Sequence, residues 1–288
     1  MKMQEHHKVA LITGASSGIG LATARALAQQ GMELHLLCRN KEKSEKVITD
    51  IIKQSGNTNI SLITCDLRSM KEVQHAAQGF LDTGRPLHIL LNNAATFNLK
   101  RVLTPEGDEE MFAVNYLAHF LLTILLLDRL KASTNARIIN VASDAHWFCK
   151  TIRFDDLSFS KGFSAFKVYA HSKLANIMFT QALANRLKYS SVSTFALHPG
   201  GFGVRTGLGT KNTIAGKIIM LLLSPFLQSP EQGALTQLQL CKTQNIASKN
   251  GSYFKNAQES QAKPWALDKA SYERLWLASE SLLANYLD

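Results

Sequence analysis

Short apolar runs that carry almost no charge recur along the first two hundred residues, and a segment of helical character separates each from the next. The runs are Val9–Thr13, Leu34–Cys38, Ile60–Cys65, His88–Asn92, Arg137–Ala142 and Val192–His198. A strand without polar alternation has no face to give to water, so it belongs in a sheet covered on both sides. Strands that alternate with helices are joined by crossovers, which makes the sheet parallel. The expected fold class is α/β, a doubly wound parallel sheet.

Between these runs, Ile19–Gln30 places Leu21, Ala24, Leu27 and Ala28 at helical spacing and ends at Gly31. Val47–Gln54 belongs to a second helix, residues 69–82 form a third, Met111–Leu130 a long apolar one, and Tyr169–Tyr189 another. No linker rich in Pro, Gly or Ser divides the 288 residues, so one domain over 1–288 is expected. Residues 200–230 break the alternation with GGFGVRTGLG and then the apolar stretch Ile214–Leu227, the place for a small helical substrate lid.

At 45% hydrophobic and 19% charged residues the chain lies outside the disordered classes. Its four cysteines, Cys38, Cys65, Cys149 and Cys241, are too far apart for a metal knuckle or a redox pair and read as reduced thiols. The first ten residues hold no apolar signal segment, and no apolar window reaches the ~20 residues of a membrane span. A cytoplasmic location is the expectation. The formal charge is +10, and residues 121–240 alone hold 13 Lys and Arg against 5 Asp and Glu. With no Lys/Arg run and no basic-aromatic module, nucleic acid is not an expected partner. A peripheral contact with a membrane surface is the reading the excess leaves open.

Chemistry enters directly after the first strand. Thr13-Gly14-Ala15-Ser16-Ser17-Gly18-Ile19-Gly20 sets three glycines between a strand and a helix. Such a turn brings backbone N–H groups and a helix N-terminus up to a pyrophosphate, so a dinucleotide is the expected cofactor. An ordinary βα turn is the plainer reading, and the position after the first strand of a βαβ unit weighs against it. A ribose with free hydroxyls asks for a carboxylate about 20 residues further on. The second strand ends instead in Cys38-Arg39-Asn40-Lys41. Arg39 there can grip a 2′-phosphate, which favours NADP over NAD.

The second signal is Tyr169-Ala170-His171-Ser172-Lys173, which puts a phenol and an ammonium on one helix face. A phenol is a poor proton donor or acceptor near neutrality until a cation favours its phenolate. Lys173 is expected to supply that cation and so to tune Tyr169 for general acid–base work. Ser143 stands 26 residues earlier, just past the fifth strand, where chain leaving the carboxyl ends of a parallel sheet lines the ligand crevice. Its hydroxyl can bond a reacting carbonyl oxygen. Asn115 on the long helix can hold a water or a helix carbonyl beside the lysine, or simply satisfy itself within the helix.

Taken together, TGASSGIG, Asn92-Asn93-Ala94, Asn115, Ser143 and YAHSK resemble the short-chain dehydrogenases/reductases. Further pieces resemble the retinol dehydrogenase and WW-domain oxidoreductase branch of that family, namely NYLAHFLLT, ASDAH, FDDLSF, LHPG, GSYF and RLW. The resemblance implies a Rossmann-type fold and hydride transfer between NADP(H) and an alcohol or carbonyl. It implies that Tyr169 donates or accepts the proton, that Lys173 lowers its pKa and binds the nicotinamide ribose, that Ser143 orients the reacting oxygen, and that Asn115 completes a proton relay. Gly14, Ser16, Ser17, Gly18, Ile19, Gly20, Arg39, Asn40, Asp66, Leu67, Asn93, Ala94, Pro199 and Gly200 are implied to contact successive parts of the dinucleotide, with Asp66 at the adenine. The sequence departs from the family pattern at Ala95, where the family has Gly, and in a longer Gly-rich stretch between Gly200 and Thr206.

If the apolar lid closes over the crevice with Trp147, Phe148 and Phe202, the substrate is a lipophilic alcohol, aldehyde or ketone, retinoid-like, steroid-like or fatty. Apolar faces on Met111–Leu130 and beyond Tyr169 make a helix-packed homodimer the expected assembly. The alternative function is a catalytically silent NADP(H)-binding sensor or interaction protein on the same fold.

Overall fold

Burial of whole strands decides the architecture. In β1 (Val9–Thr13), β2 (Glu33–Cys38), β4 (Ile89–Asn92), β5 (Arg137–Val141) and β6 (Ser193–His198) every residue is buried, whereas β3 (Ile60–Thr64), at the sheet edge, is not. The computed structural model describes residues 8–200 and 228–287. Its strands form one eight-stranded sheet in the order β3-β2-β1-β4-β5-β6-β7-β8. All neighbours are parallel except the last pair, β7 (Tyr253–Lys255) and β8 (Gln258–Ser260). Strand order reverses between β1 and β4, and in such sheets the ligand crevice opens there, beyond the carboxyl ends of the strands.

Helices cover both faces. On one lie α1 (Gly18–Ala28), α2 (Lys41–Ser55) and α8 (Pro230–Lys242), with Ala24, Leu27, Ile51 and Leu240 packed on Ile12, Leu36 and Ile139. On the other lie α3 (Met70–Asp82), α5 (Ala118–Leu125), α7 (Ala165–Arg186) and α9 (Lys269–Leu283), with Val73, Phe120, Phe179 and Leu275 in one continuous core. Local signals set the boundaries. The Asn40 and Ser69 side chains cap α2 and α3, and Gly56 ends α2 in the left-handed conformation.

Met111–Leu130 does not form one regular helix. A short α4 (Glu110–Phe112) widens into a π-turn at Ala113–Leu117 before α5, and the chain breaks again at Leu126 ahead of α6 (Leu127–Lys131). Such π-turns are commonly found at functional sites, and this one carries Asn115. Likewise α7 begins at Ala165, one turn before Tyr169.

Beyond β6 the periodicity is too short to read: β7 and β8 have three residues each. No helix is expected beyond the lid segment, yet the chain forms α8 and, after β8, α9. Helix α9 lies across the apolar faces of α5 and α7, where Trp276 meets Phe120 edge-on with ring centroids 4.9 Å apart and stacks on Phe179 at 6.0 Å. Most side chains of these faces are therefore buried within the chain, and their apolarity is accounted for without a partner. The lid expected over residues 200–230, with Phe202, Thr206 and Ile214–Leu227, lies for all but its ends outside the described residues. All four cysteines are free.

Candidate active site

The glycine turn joins β1 to α1 under tight steric limits. Gly14 has φ +70°, and a Cβ on it would stand 2.9 Å from the Ala94 Cα; one on Gly20 would stand 2.5 Å from Asn93 Nδ2 and 2.7 Å from the Gly14 oxygen. Neither position tolerates a side chain, so the backbone here is free to approach another group closely. No side chain caps α1 at Ser17, and its first turn holds no acid. Uncapped N–H groups at a helix N-terminus, with no carboxylate to repel an anion, suit a pyrophosphate. Ser16 and Gly18 are half-buried and Ser17 is exposed in this turn, while Ile19 is packed against Ala22 and Ala234.

Several of the predicted cofactor residues serve as struts. Asn93 Nδ2 donates to the Thr13 oxygen (2.8 Å) and its Oδ1 accepts from Gln237 Nε2 (3.1 Å). The backbone N–H groups of Asn93 and Ala94 both donate to Thr13 Oγ1, each at 2.9 Å. These side-chain bonds hold the floor of the crevice rather than reach into it. Asn40 Oδ1 is engaged by the Lys43 backbone in capping α2. Arg39 is exposed and forms no salt bridge among the described residues, although its charge is felt at Asp66. The Asp66 carboxylate accepts from Arg68 Nε (2.9 Å), Nη2 (2.6 Å) and backbone N (3.1 Å). An ionised carboxylate has about four acceptor positions, so one stays free for a further donor. Leu67 is buried, and Pro199-Gly200 follows β6 with Gly200 at φ +103°.

At the other side of the crevice, Ser143, Tyr169, Lys173 and Asn115 come together. The Ser143 hydroxyl, which accepts from Ala145 N at 3.1 Å, lies near enough to the Tyr169 phenol to lower its pKa. Lys173 Nζ lies 5.6 Å from the centroid of the Tyr169 ring and donates to the Val141 carbonyl at 2.8 Å. Asn115 does not turn toward a helix carbonyl. Its Oδ1 accepts from Thr96 N (2.7 Å), and its Nδ2 donates to Thr96 O (3.1 Å) and Ser172 Oγ (3.1 Å), next to the lysine. Phe97 packs edge-on to Tyr169 at 5.6 Å, and Phe163, Met111, Phe159 and Val168 share that cluster, so the surroundings of the phenol are apolar.

Comparison with known proteins decides the family. Residues 8–213 match the short chain dehydrogenase family. The chain is 40% identical to retinol dehydrogenase 12 of Bos taurus over 276 residues, covering 96% of this chain and 86% of the relative. It is 39% identical to human (Homo sapiens) retinol dehydrogenase 11 over 281 residues, covering 98% and 87%. A solved structure from Mycobacterium Paratuberculosis superposes with a TM-score of 0.77 at 28% identity, covering 96% of this chain and 93% of the other. The chain is a short-chain dehydrogenase/reductase.

The dehydrogenase is therefore an oxidoreductase of CH–OH groups, and NAD(P) is the cofactor typical of its family. Burial governs the protonation of its site. It pushes the Tyr169 phenol up to about 12, against a lowering from the Ser143 hydroxyl, and pushes the Lys173 ammonium down to about 7. Desolvation is the leading cause of both shifts.

A second layer holds Ser143, and sequence reasoning missed it. Asp144 Oδ1 accepts from Tyr253 OH (2.9 Å) and Oδ2 from Lys255 Nζ (2.5 Å). Burial pushes this carboxyl up, but Lys255, His198 and Tyr253 outweigh it and leave Asp144 below the usual carboxylate range. His146 Nδ1 lies 2.7 Å from the Ser143 carbonyl oxygen, and the Lys263 backbone N–H donates to its Nε2 at 3.3 Å. In this way β7 pins the 3₁₀ turn Asp144–Phe148 that Ser143 caps. ASDAH offered one signal, an acid adjoining the serine, but its partner stands 111 residues away.

Proposed function

We propose that this dehydrogenase transfers hydride between NADP(H) and a lipophilic alcohol, aldehyde or ketone, with Tyr169 as its general acid and base. The observation that carries the reading is the Tyr169 ring, with the buried Lys173 ammonium 5.6 Å from its centroid, Phe97 edge-on to it and the Ser143 hydroxyl close by. In reduction Tyr169 gives its proton to the carbonyl oxygen as Ser143 bonds the same oxygen, and the Lys173 ammonium stabilises the phenolate left behind. In oxidation the proton runs back. When bound, the nicotinamide supplies or takes up the hydride. The glycine turn, Arg39, Asp66 and Pro199-Gly200 are the residues that would hold the dinucleotide, and the Gly14 and Gly20 contacts and the uncapped α1 fit it. The relatives' names, retinol dehydrogenases, support an apolar substrate. The test is a carbonyl panel with NADPH and NADH. Turnover of retinal and medium-chain aldehydes upholds the reading, and turnover of polyols alone refutes it.

The preference for NADP rests on Arg39 and on the absence of an acid at the end of β2. Arg39→Asp should weaken NADPH binding about 10- to 100-fold, the loss of a charge-assisted hydrogen bond, and should strengthen NADH binding. Fluorescence titration with both cofactors reads this out.

The Lys173 shift carries a pH dependence. An ammonium whose folded pKa is depressed binds fewer protons in the folded than in the unfolded state between about 7 and the model-peptide value of 10.5, so stability rises with pH across that window. Denaturant unfolding should show the wild type gaining stability relative to Lys173→Met from pH 7 to pH 10. Reduction should decline above about pH 7 as the cation is lost.

A membrane-surface contact is supported by a patch close to Ser143. Trp147, Phe148 and Phe166 are 42%, 70% and 47% exposed, and Lys255 and Lys263 lie over the Trp147 ring, with exposed Lys150 and Lys167 nearby. Aromatic groups ringed by lysines suit an anionic bilayer. The protein should sediment with phosphatidylserine vesicles but not with neutral ones, and Phe148→Asp should reduce that binding.

A further inference from the structure

His119 belongs to the NYLAHF segment and is 2% exposed, and neither the proton relay nor the cofactor cradle has given it a task. A buried histidine is commonly just satisfied within the core. Here both ring nitrogens are bonded to atoms of the site. Nδ1 lies 3.2 Å from the Asn115 carbonyl oxygen and Nε2 lies 2.9 Å from Thr13 Oγ1.

Donor and acceptor counting gives these contacts a direction. A carbonyl oxygen only accepts, so Nδ1 carries the proton and Nε2 must accept. Thr13 Oγ1 has one hydrogen and two lone pairs, and it accepts from the backbone N–H groups of Asn93 and Ala94. Its hydrogen then points to Nε2 at 2.9 Å in preference to the Leu91 oxygen at 3.4 Å. The result is a closed chain from Asn93 and Ala94 through the Thr13 hydroxyl and the His119 ring to the Asn115 carbonyl. Thr13 adjoins Gly14, the first residue of the glycine turn, while Asn115 sits in the π-turn and bonds Ser172 beside Lys173. Burial, reinforced by the Lys173 charge, holds the imidazole down to about 4, against a raising effect from the Asn115 carbonyl, so it stays neutral with this tautomer at ordinary pH.

We infer that His119 is a positioning residue that ties the cofactor-binding turn to the Asn115 end of the proton relay, so that cofactor affinity and turnover depend on it together. The inference rests on the function proposed above. A core histidine with only a packing role would affect stability and leave the other two alone.

The experiment compares His119→Leu, which can neither donate nor accept, with His119→Gln, whose amide can do both, alongside Thr13→Val and the Thr13→Val/His119→Leu double variant. NADPH Kd, kcat, KM and Tm are measured for each. His119→Leu should lower kcat and raise the NADPH Kd, each by about 10-fold or more, the effect of a buried hydrogen-bonding group lost. His119→Gln should restore both to within about 3-fold. The double variant should lose no more than the worse single one, as expected of residues in one network. Equal losses for Leu and Gln, a change confined to Tm, or strictly additive losses in the double variant would each overturn the inference. If no carbonyl turns over even in the wild type, the proposed function fails, while the Kd cycle between Thr13 and His119 still stands or falls by itself.

Discussion

Tyr169→Phe should lower carbonyl reduction by about three orders of magnitude, within the range that general acid catalysis contributes, while NADPH binds within about 2-fold of wild type. The change removes one oxygen from a side chain that packs edge-on against Phe97 and leaves the ring in place. The Lys173–Val141 bond and the glycine turn do not involve that oxygen. A loss confined to kcat therefore reports proton donation, whereas a parallel loss of cofactor affinity would mean that the ring had moved. The direction of pH dependence supplies an internal check. With the phenol pushed up to about 12, alcohol oxidation, which needs Tyr169 to take up a proton, should become faster as pH rises.

The second large effect is on stability. Trp276→Ala should cost roughly 3–5 kcal/mol, the range for truncating a large buried aromatic, and lower Tm by about 10 °C. Trp276 is 6% exposed, meets Phe120 and Phe179, and carries the Arg186 guanidinium 3.9 Å above its ring. Nearby, Tyr116 OH and Ser279 Oγ bond at 2.7 Å, and Arg186 forms two hydrogen bonds to Glu273. Releasing α9 would bare the apolar faces of α5 and α7, so the variant should also self-associate. Differential scanning calorimetry and light scattering measure the two consequences.

Which parts of this architecture were legible from residues follows from how far apart the interacting groups are. The six apolar runs, the glycine turn and the Tyr169–Lys173 spacing are local, and the structure has all of them close to their expected limits. Ser143 was legible because a position just beyond β5 has a meaning in any parallel sheet. The struts were not, because they are pairs joined only by folding: Thr13 to His119 across 106 residues and Lys255 to Asp144 across 111. The π-turn at Asn115 was hidden inside an apolar run whose average period is still helical. For the same reason an apolar helix face does not reveal whether its cover comes from a partner or from its own chain, and α9 supplies cover for Phe120 and Phe179. The directions in which Tyr169 and Lys173 are shifted could not be judged from spacing, because desolvation, the leading cause of both, arises only on folding.

The most direct test of the account is a single-turnover experiment with enzyme in excess over NADPH and with retinal as the carbonyl. The account predicts one retinol formed for each NADPH oxidised in the wild type, and NADPH bound but unconsumed in Tyr169→Phe. NADPH bound tightly by the wild type yet never oxidised, with retinal or any other lipophilic carbonyl, would contradict it and leave the silent sensor as the reading.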